Sequence, residues 1–187
     1  MKISTIIIIV VVIIAIIAVL GGVGAFIYFR FFSSPKKKEG IETRYIRLVA
    51  APEQTILNLA ELEAYDTEGK NVALGKPVSA STVYANRDSH ASGLTDGITD
   101  GNFSDVLAHT EIQQPGTEVW FEVDLGELYP LKEIKIYNRT DCCWERANHM
   151  VILLLNDKKE TIKEIKTGIW TEDDKVKSFS LIDEPQN

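Results

Sequence analysis

Val119-Trp120-Phe121-Glu122-Val123-Asp124-Leu125 is the stretch on which the fold is decided. Every second residue is apolar, so Val119, Phe121, Val123 and Leu125 share one face, the two-residue period of a half-buried strand. Just beyond Gly126, Leu131 to Tyr137 repeats the pattern, with Glu133 and Lys135 facing away from Ile134 and Ile136. Working outward, Tyr45 to Val49, Leu57 to Tyr65, Glu160 to Trp170 and Lys175 to Leu181 alternate as well, and Met150 to Leu155 is a continuous apolar run. Turn residues punctuate these segments, among them the Asp-Gly pairs at 96–97 and 100–101. Helical periodicity is hard to find after residue 40. Many short strands separated by such turns predict an all-β jelly roll or β-sandwich. The stretch from Ser79 to Glu118 has little alternation, and a loop that long in a compact domain is usually functional.

The N-terminal end reads differently. Ile6 to Phe29 holds no charge and no Asn, Gln or Pro across 24 positions, enough at helical rise to span a hydrocarbon core of about 30 Å. The expected organisation is a transmembrane helix within residues 1–31, a polar linker over 32–43 and one domain over 44–187. A cleaved signal peptide is the rival reading, although its apolar region is usually shorter. All 27 acidic residues follow position 38, so residues 39–187 set them against 15 basic ones, a formal charge of −12. Such a surface excludes nucleic acid as a natural partner.

Arg139-Thr140-Asp141-Cys142-Cys143-Trp144-Glu145-Arg146 follows a strand end and contains both cysteines of the chain. Neighbouring Cα atoms lie about 3.8 Å apart across a trans peptide, so a bond between adjacent cysteines would close a small ring and staple no loop. Two readings stay open from residue types alone. The segment is either a solvated ion-pair cluster with reduced thiols, or a rigid apolar plate beside two guanidinium forks, one of them held by Asp141. The second arrangement would suit a sugar, which carries vicinal hydroxyls and one apolar face.

From Asn71 to about Leu155 the chain resembles the F-type (fucose-binding) lectins, within the discoidin or coagulation factor 5/8 type C superfamily. The resemblance rests on Asn71-Val-Ala-Leu-Gly-Lys-Pro-Val78, Leu94-Thr-Asp-Gly97, Ala108-His-Thr110, Trp120-Phe-Glu-Val-Asp-Leu125 and Asn138-Arg-Thr-Asp-Cys-Cys-Trp-Glu-Arg146. It implies a discoidin-like jelly roll with a shallow pocket in which His109, Arg139 and Arg146 hydrogen-bond a fucose-like ring. It further implies that Asp141 orients Arg139 and that a vicinal disulfide between Cys142 and Cys143 packs against the sugar. A structural Ca²⁺ is implied as well, with Gly93, Asp96 and Ile98 as ligands in the Asp-Gly turn; Val106 stands where a hydroxyl would be expected, and a late Glu ligand has no evident counterpart. Between His109 and Arg139 lie 29 residues, a few more than the family's usual interval, which implies a short insertion around Gln113 to Glu118.

Three function classes follow. The first is a membrane-anchored, glycan-binding lectin, acting through multivalent display or as a homo-oligomer. The second is a structural or interaction module with a degenerate sugar site, such as a virion membrane or minor capsid component, since compact single-anchor proteins of this style resemble those of large DNA viruses. An enzyme is the least favoured, for no nucleophile with a matching base or paired catalytic carboxylates stand at usable spacing. The expected localisation is a single-pass membrane protein at a cell surface or in a virion. Arg30 and Lys36 to Lys38 after the helix would hold the domain in the cytoplasm, whereas an oxidised cysteine pair and the sequons at Asn102 and Asn138 suit the opposite side. Tyr45 to Val49, upstream of the lectin-like region, is expected to supply a strand of the main sheet.

Overall fold

The computed structural model describes residues 40–84, 90–103 and 107–182. Eight strands are found there: β1 (Ile41–Val49), β2 (Asn58–Asp66), β3 (Val78–Ala80), β4 (Ala108–His109), β5 (Trp120–Asn138), β6 (Val151–Leu155), β7 (Thr161–Lys166) and β8 (Val176–Ser180). All pairings between them are antiparallel. Among the described residues the all-β expectation holds, carried by the apolar period of two in β1 and β5 and by the continuous apolar run of β6.

The two strands expected around Gly126 are one 19-residue strand. Gly126 adopts φ +89°, a backbone region that side chains rarely tolerate, and its N–H donates to the Asp124 carboxylate at 2.8 Å. The chain therefore bends there without ending. β1 stays paired on both sides of the bend, passing from Thr43 opposite Tyr129 to Tyr45 opposite Asp124 across a bulge. Before the bend β5 lies between β1 and β3; after it, between β2 and β8. The two halves of β5 thus tie all the strands into one eight-stranded sheet, whose inward side chains, including Ile46, Leu48, Phe121, Val123, Ile134 and Ile152, join one fully buried core.

Ile46 and Leu48 are in the main sheet, between β5 and β6, as expected of the N-terminal strand. β1 begins at Ile41, inside the stretch read as linker. The strand expected over Glu160 to Trp170 stops at Lys166, where Thr167 turns back and its hydroxyl donates to the Met150 carbonyl.

The expectation of a single-pass membrane protein is corrected. Among the described residues no helix is long and apolar enough to cross a membrane. Helical structure there consists of short 3-10 turns such as Ala91–Thr95 and Trp144–Ala147. The apolar run over residues 6–29, on which that localisation rested, lies outside the described residues.

Candidate functional site

β2 and β4 pair at one edge of the sheet, with Asn58 opposite His109 and Leu59 opposite Ala108. β5 ends beside them at Asn138, which pairs with Leu59. Asn138 is fully buried; its Oδ1 accepts from the Arg139 N–H at 2.8 Å and its Nδ2 donates to the Trp144 carbonyl at 3.1 Å. One side chain therefore pins both ends of the loop that carries the cysteines. The N–H and hydroxyl of Thr140 donate to the carbonyls of Gly101 and Asp100, at 2.8 and 2.9 Å. At Gly101 a Cβ would meet the Asn138 carbonyl oxygen at 2.5 Å, so glycine is needed for that approach.

Cys142 and Cys143 form a disulfide across a trans peptide, with Cα atoms 3.8 Å apart. Cys143 takes φ +64°, and the 3-10 turn Trp144–Ala147 then returns Arg146 toward the sheet edge. Arg139 donates to Asp141 through Nε at 2.6 Å and Nη2 at 2.9 Å, a two-pronged pair. That guanidinium holds the Asp141 carboxyl below its usual range. The Arg139 Cζ also lies 4.6 Å from the Phe103 ring centre.

His109 is almost wholly buried, and its Nδ1 is 2.7 Å from the Thr110 carbonyl. A carbonyl only accepts, so Nδ1 carries the hydrogen and neutral His109 offers a lone pair at Nε2. Arg146 Nη1 meets that nitrogen at 3.3 Å and donates to Asn58 Oδ1 at 2.8 Å. Burial pushes the His109 pKa down, and the Arg146 and Arg139 charges add to the effect against the Thr110 hydrogen bond. Tyr84 and Phe103 complete an aromatic wall, with ring centres 5.1 and 5.7 Å from His109.

The structure thus brings His109 to Arg146, Arg139 to Asp141, and both loop arginines onto the segment that holds the disulfide. It adds Asn58, Tyr84 and Phe103, which no sequence pattern singled out. A signal for Asn58 was present, since it stands between Leu57 and Leu59 in a buried strand.

Glu61 is a further addition. It is fully buried on β2, and neither carboxyl oxygen has a hydrogen-bond partner. Burial lifts its pKa to about 8; the amides of Gly97 and Asp96 oppose the shift from outside hydrogen-bonding geometry, and the Asp96 carboxylate reinforces it. Asp96 accepts from the Ile98 N–H at 2.8 Å, closing the expected turn, and Gly93 donates to the His90 carbonyl at 3.0 Å. No cluster of three or more His, Cys, Asp or Glu side chains suited to a metal occurs among the described residues, and Val106 lies outside them. A hard cation takes carbonyl as well as carboxylate oxygens, and the orphaned Glu61 carboxyl beside the Asp96 turn fits such a donor set.

Residues 94–183 match a family model of the F5/F8 type C group described as a NedA-like, galactose-binding domain. Fucolectin-4 of Anguilla japonica is 40% identical over 68 residues, 36% of either chain. Fucolectin-6 of the same species is 35% identical over 107 residues, 54% of this chain and 56% of its own. The Pentraxin fusion protein of Xenopus laevis is 34% identical over 93 residues, 49% of this chain and 21% of its own. The chain thus spans about a third of the length of the first curated relatives it matches. No solved structure matches it.

Proposed function

We propose that this domain is a lectin that holds a fucose-like sugar between Arg139, Arg146 and His109 on one side and the Cys142–Cys143 disulfide on the other. The observation that carries the reading is the meeting of Arg146 and His109 at 3.3 Å beside the disulfide loop. Two planar donor forks match vicinal hydroxyls, an apolar plate matches the hydrophobic face of a pyranose, and the Phe103 and Tyr84 rings offer apolar surface to a methyl group. The family match and the fucolectin relatives support carbohydrate binding. Because few contacts offset the cost of association, a single sugar binds weakly, and multivalent display or a homo-oligomer supplies the avidity. The role is binding without turnover: neutral His109 is turned to its neighbours and the Asp141 carboxylate is occupied by Arg139.

A structural Ca²⁺ belongs to the same proposal. Glu61 and Asp96 would supply carboxylate oxygens, with backbone carbonyls of the Gly93 to Ile98 segment, and the ion's contribution would be to neutralise two neighbouring carboxylates and stiffen the Asp96 turn.

A glycan array probed with the full chain tests the lectin reading. Fucosylated glycans should bind, and binding should disappear in Arg139→Ala and Arg146→Ala. A folded wild-type chain that leaves the array blank would refute it.

A further inference from the structure

Asn58 opens β2 with a polar side chain where its neighbours are apolar. It is fully buried, as are Leu57 and Leu59, and its Nδ2 finds no hydrogen-bond partner. Buried amides are nearly always satisfied at both ends, so one kept half-satisfied points to a role other than packing. The acceptor end of the amide reveals that role. Oδ1 accepts from Arg146 Nη1 at 2.8 Å, while His109, opposite Asn58 in the β2–β4 register, meets the same nitrogen at 3.3 Å. The two N–H bonds of Nη1 thus face two neutral acceptors. No carboxylate lies within ion-pair distance of Arg146 among the described residues. Burial lowers the Arg146 pKa, in keeping with a cation that has little internal compensation. A guanidinium is a rigid plane, so fixing Nη1 from two sides fixes the whole fork and leaves the N–H bonds of Nε and Nη2 for a ligand.

We infer that Asn58 is a positioning residue for ligand recognition, setting the plane of Arg146 from the strand opposite His109. The inference rests on the reading that Arg146 contacts the sugar. Its effect falls on the geometry of donation, and a leucine of similar size at position 58 would fill the space without supplying the acceptor.

The test is titration of the full chain with α-methyl fucoside, in wild type, Asn58→Leu, Asn58→Asp and Asn58→Leu combined with Arg146→Lys. Asn58→Leu should weaken binding at least about tenfold, while Asn58→Asp, which keeps an acceptor oxygen in place, should stay within about threefold of wild type. In the Arg146→Lys background, where no plane remains to be held, Asn58→Leu should add less than about threefold, the non-additivity expected of residues acting through one another. Should Asn58→Leu not fold, Asn58→Ser withdraws the acceptor from Arg146 and takes its place with the same expected loss. Equal binding by Asn58→Leu and wild type would overturn the inference, as would equal losses in the Leu and Asp variants or an undiminished loss in the Lys background. A wild-type chain that binds no fucoside overturns the proposed function and this inference with it. Wild-type binding with an indifferent Asn58→Leu overturns this inference alone.

Discussion

Arg47 and Arg139 are built alike and placed differently. Each guanidinium carbon lies 4.6 Å from the centre of an aromatic ring, Trp120 for one and Phe103 for the other, and each guanidinium pairs with a carboxylate. Around Arg47 the charges are matched internally. Glu122 takes Arg47 at 2.9 Å and Lys159 at 2.7 Å, and Arg44 pairs with Asp124 at 3.3 Å, so the outer face of β1 and β5 is a ladder of internal ion pairs. At the loop end Arg139 is paired, but the partners of Arg146 among the described side chains are neutral. Arginines and aromatic rings are common to both regions. What separates them is whether donors remain after the protein has used its own acceptors, and on that ground the loop end is the surface we propose for binding.

Removing the open fork should therefore produce the largest effect. Arg146→Ala is expected to weaken α-methyl fucoside binding by about a hundredfold or more, near 3 kcal/mol, measured by titration calorimetry. Its melting temperature should fall by only several degrees, because the lost donor leaves two buried but neutral acceptors, Asn58 Oδ1 and His109 Nε2, unsatisfied, at about 1–2 kcal/mol. Loss of binding with an equally large loss of stability would count against the contrast between the two regions.

Glu61 supplies the next largest effect, and it concerns stability. Its folded pKa, about 8, is raised from an ordinary value of 4.5. Between those values the folded chain holds a proton that the unfolded chain has released, so stability falls as pH rises from about 4.5 to about 8 and levels off above. At about 1.4 kcal/mol per unit the loss amounts to a few kcal/mol. Melting curves in a chelator at pH 5.5, 7 and 8.5 should show the decline, and Glu61→Gln should flatten it. Millimolar Ca²⁺ should flatten it in wild type and leave the Gln variant unmoved. A pH-independent melt would remove the buried carboxyl from consideration as a cation ligand.

The disulfide comes third. It joins adjacent residues, so opening it frees almost no loop entropy and should hardly move the melting temperature. The apolar plate would be lost, however, and the left-handed Cys143 backbone released, so Cys142→Ser with Cys143→Ser should lower affinity about tenfold. Calorimetry with and without a thiol reductant checks this. Reductant should weaken wild type to the level of the double variant and leave that variant unchanged.

How far these features were legible in the sequence follows from how local each one is. Strand faces were readable because Phe121, Val123, Ile134 and Ile136 announce their side by alternation. The Arg139–Asp141 pair was readable because two residues of spacing places them together. The continuity of β5 was not, since Gly126 reads as an end unless β1 is known to pair across it. Asn58 and Glu61 were missed for a related reason. Each lies on β2, upstream of the recognisable stretch, and each reaches the site through strand register, which alternation alone does not specify. Their presence as polar residues inside a buried strand was the available sign, and it pointed to a site without saying which one.

The smallest effect is expected where the charges are matched internally. Arg47→Met keeps a long side chain over Trp120 and removes one of the two cations beside the nearly buried Glu122 carboxylate. Lys159 remains at 2.7 Å, so the carboxylate is not left alone, and the cost should stay near 1 kcal/mol, read from denaturant unfolding. Glycan affinity should change by less than about twofold, because the variant alters neither the loop nor its acceptors. An Arg47→Met chain that lost affinity as Arg146→Ala does would mean that the outer ladder shapes the binding surface. The distinction between occupied and open donors would then fail as a way of finding the site.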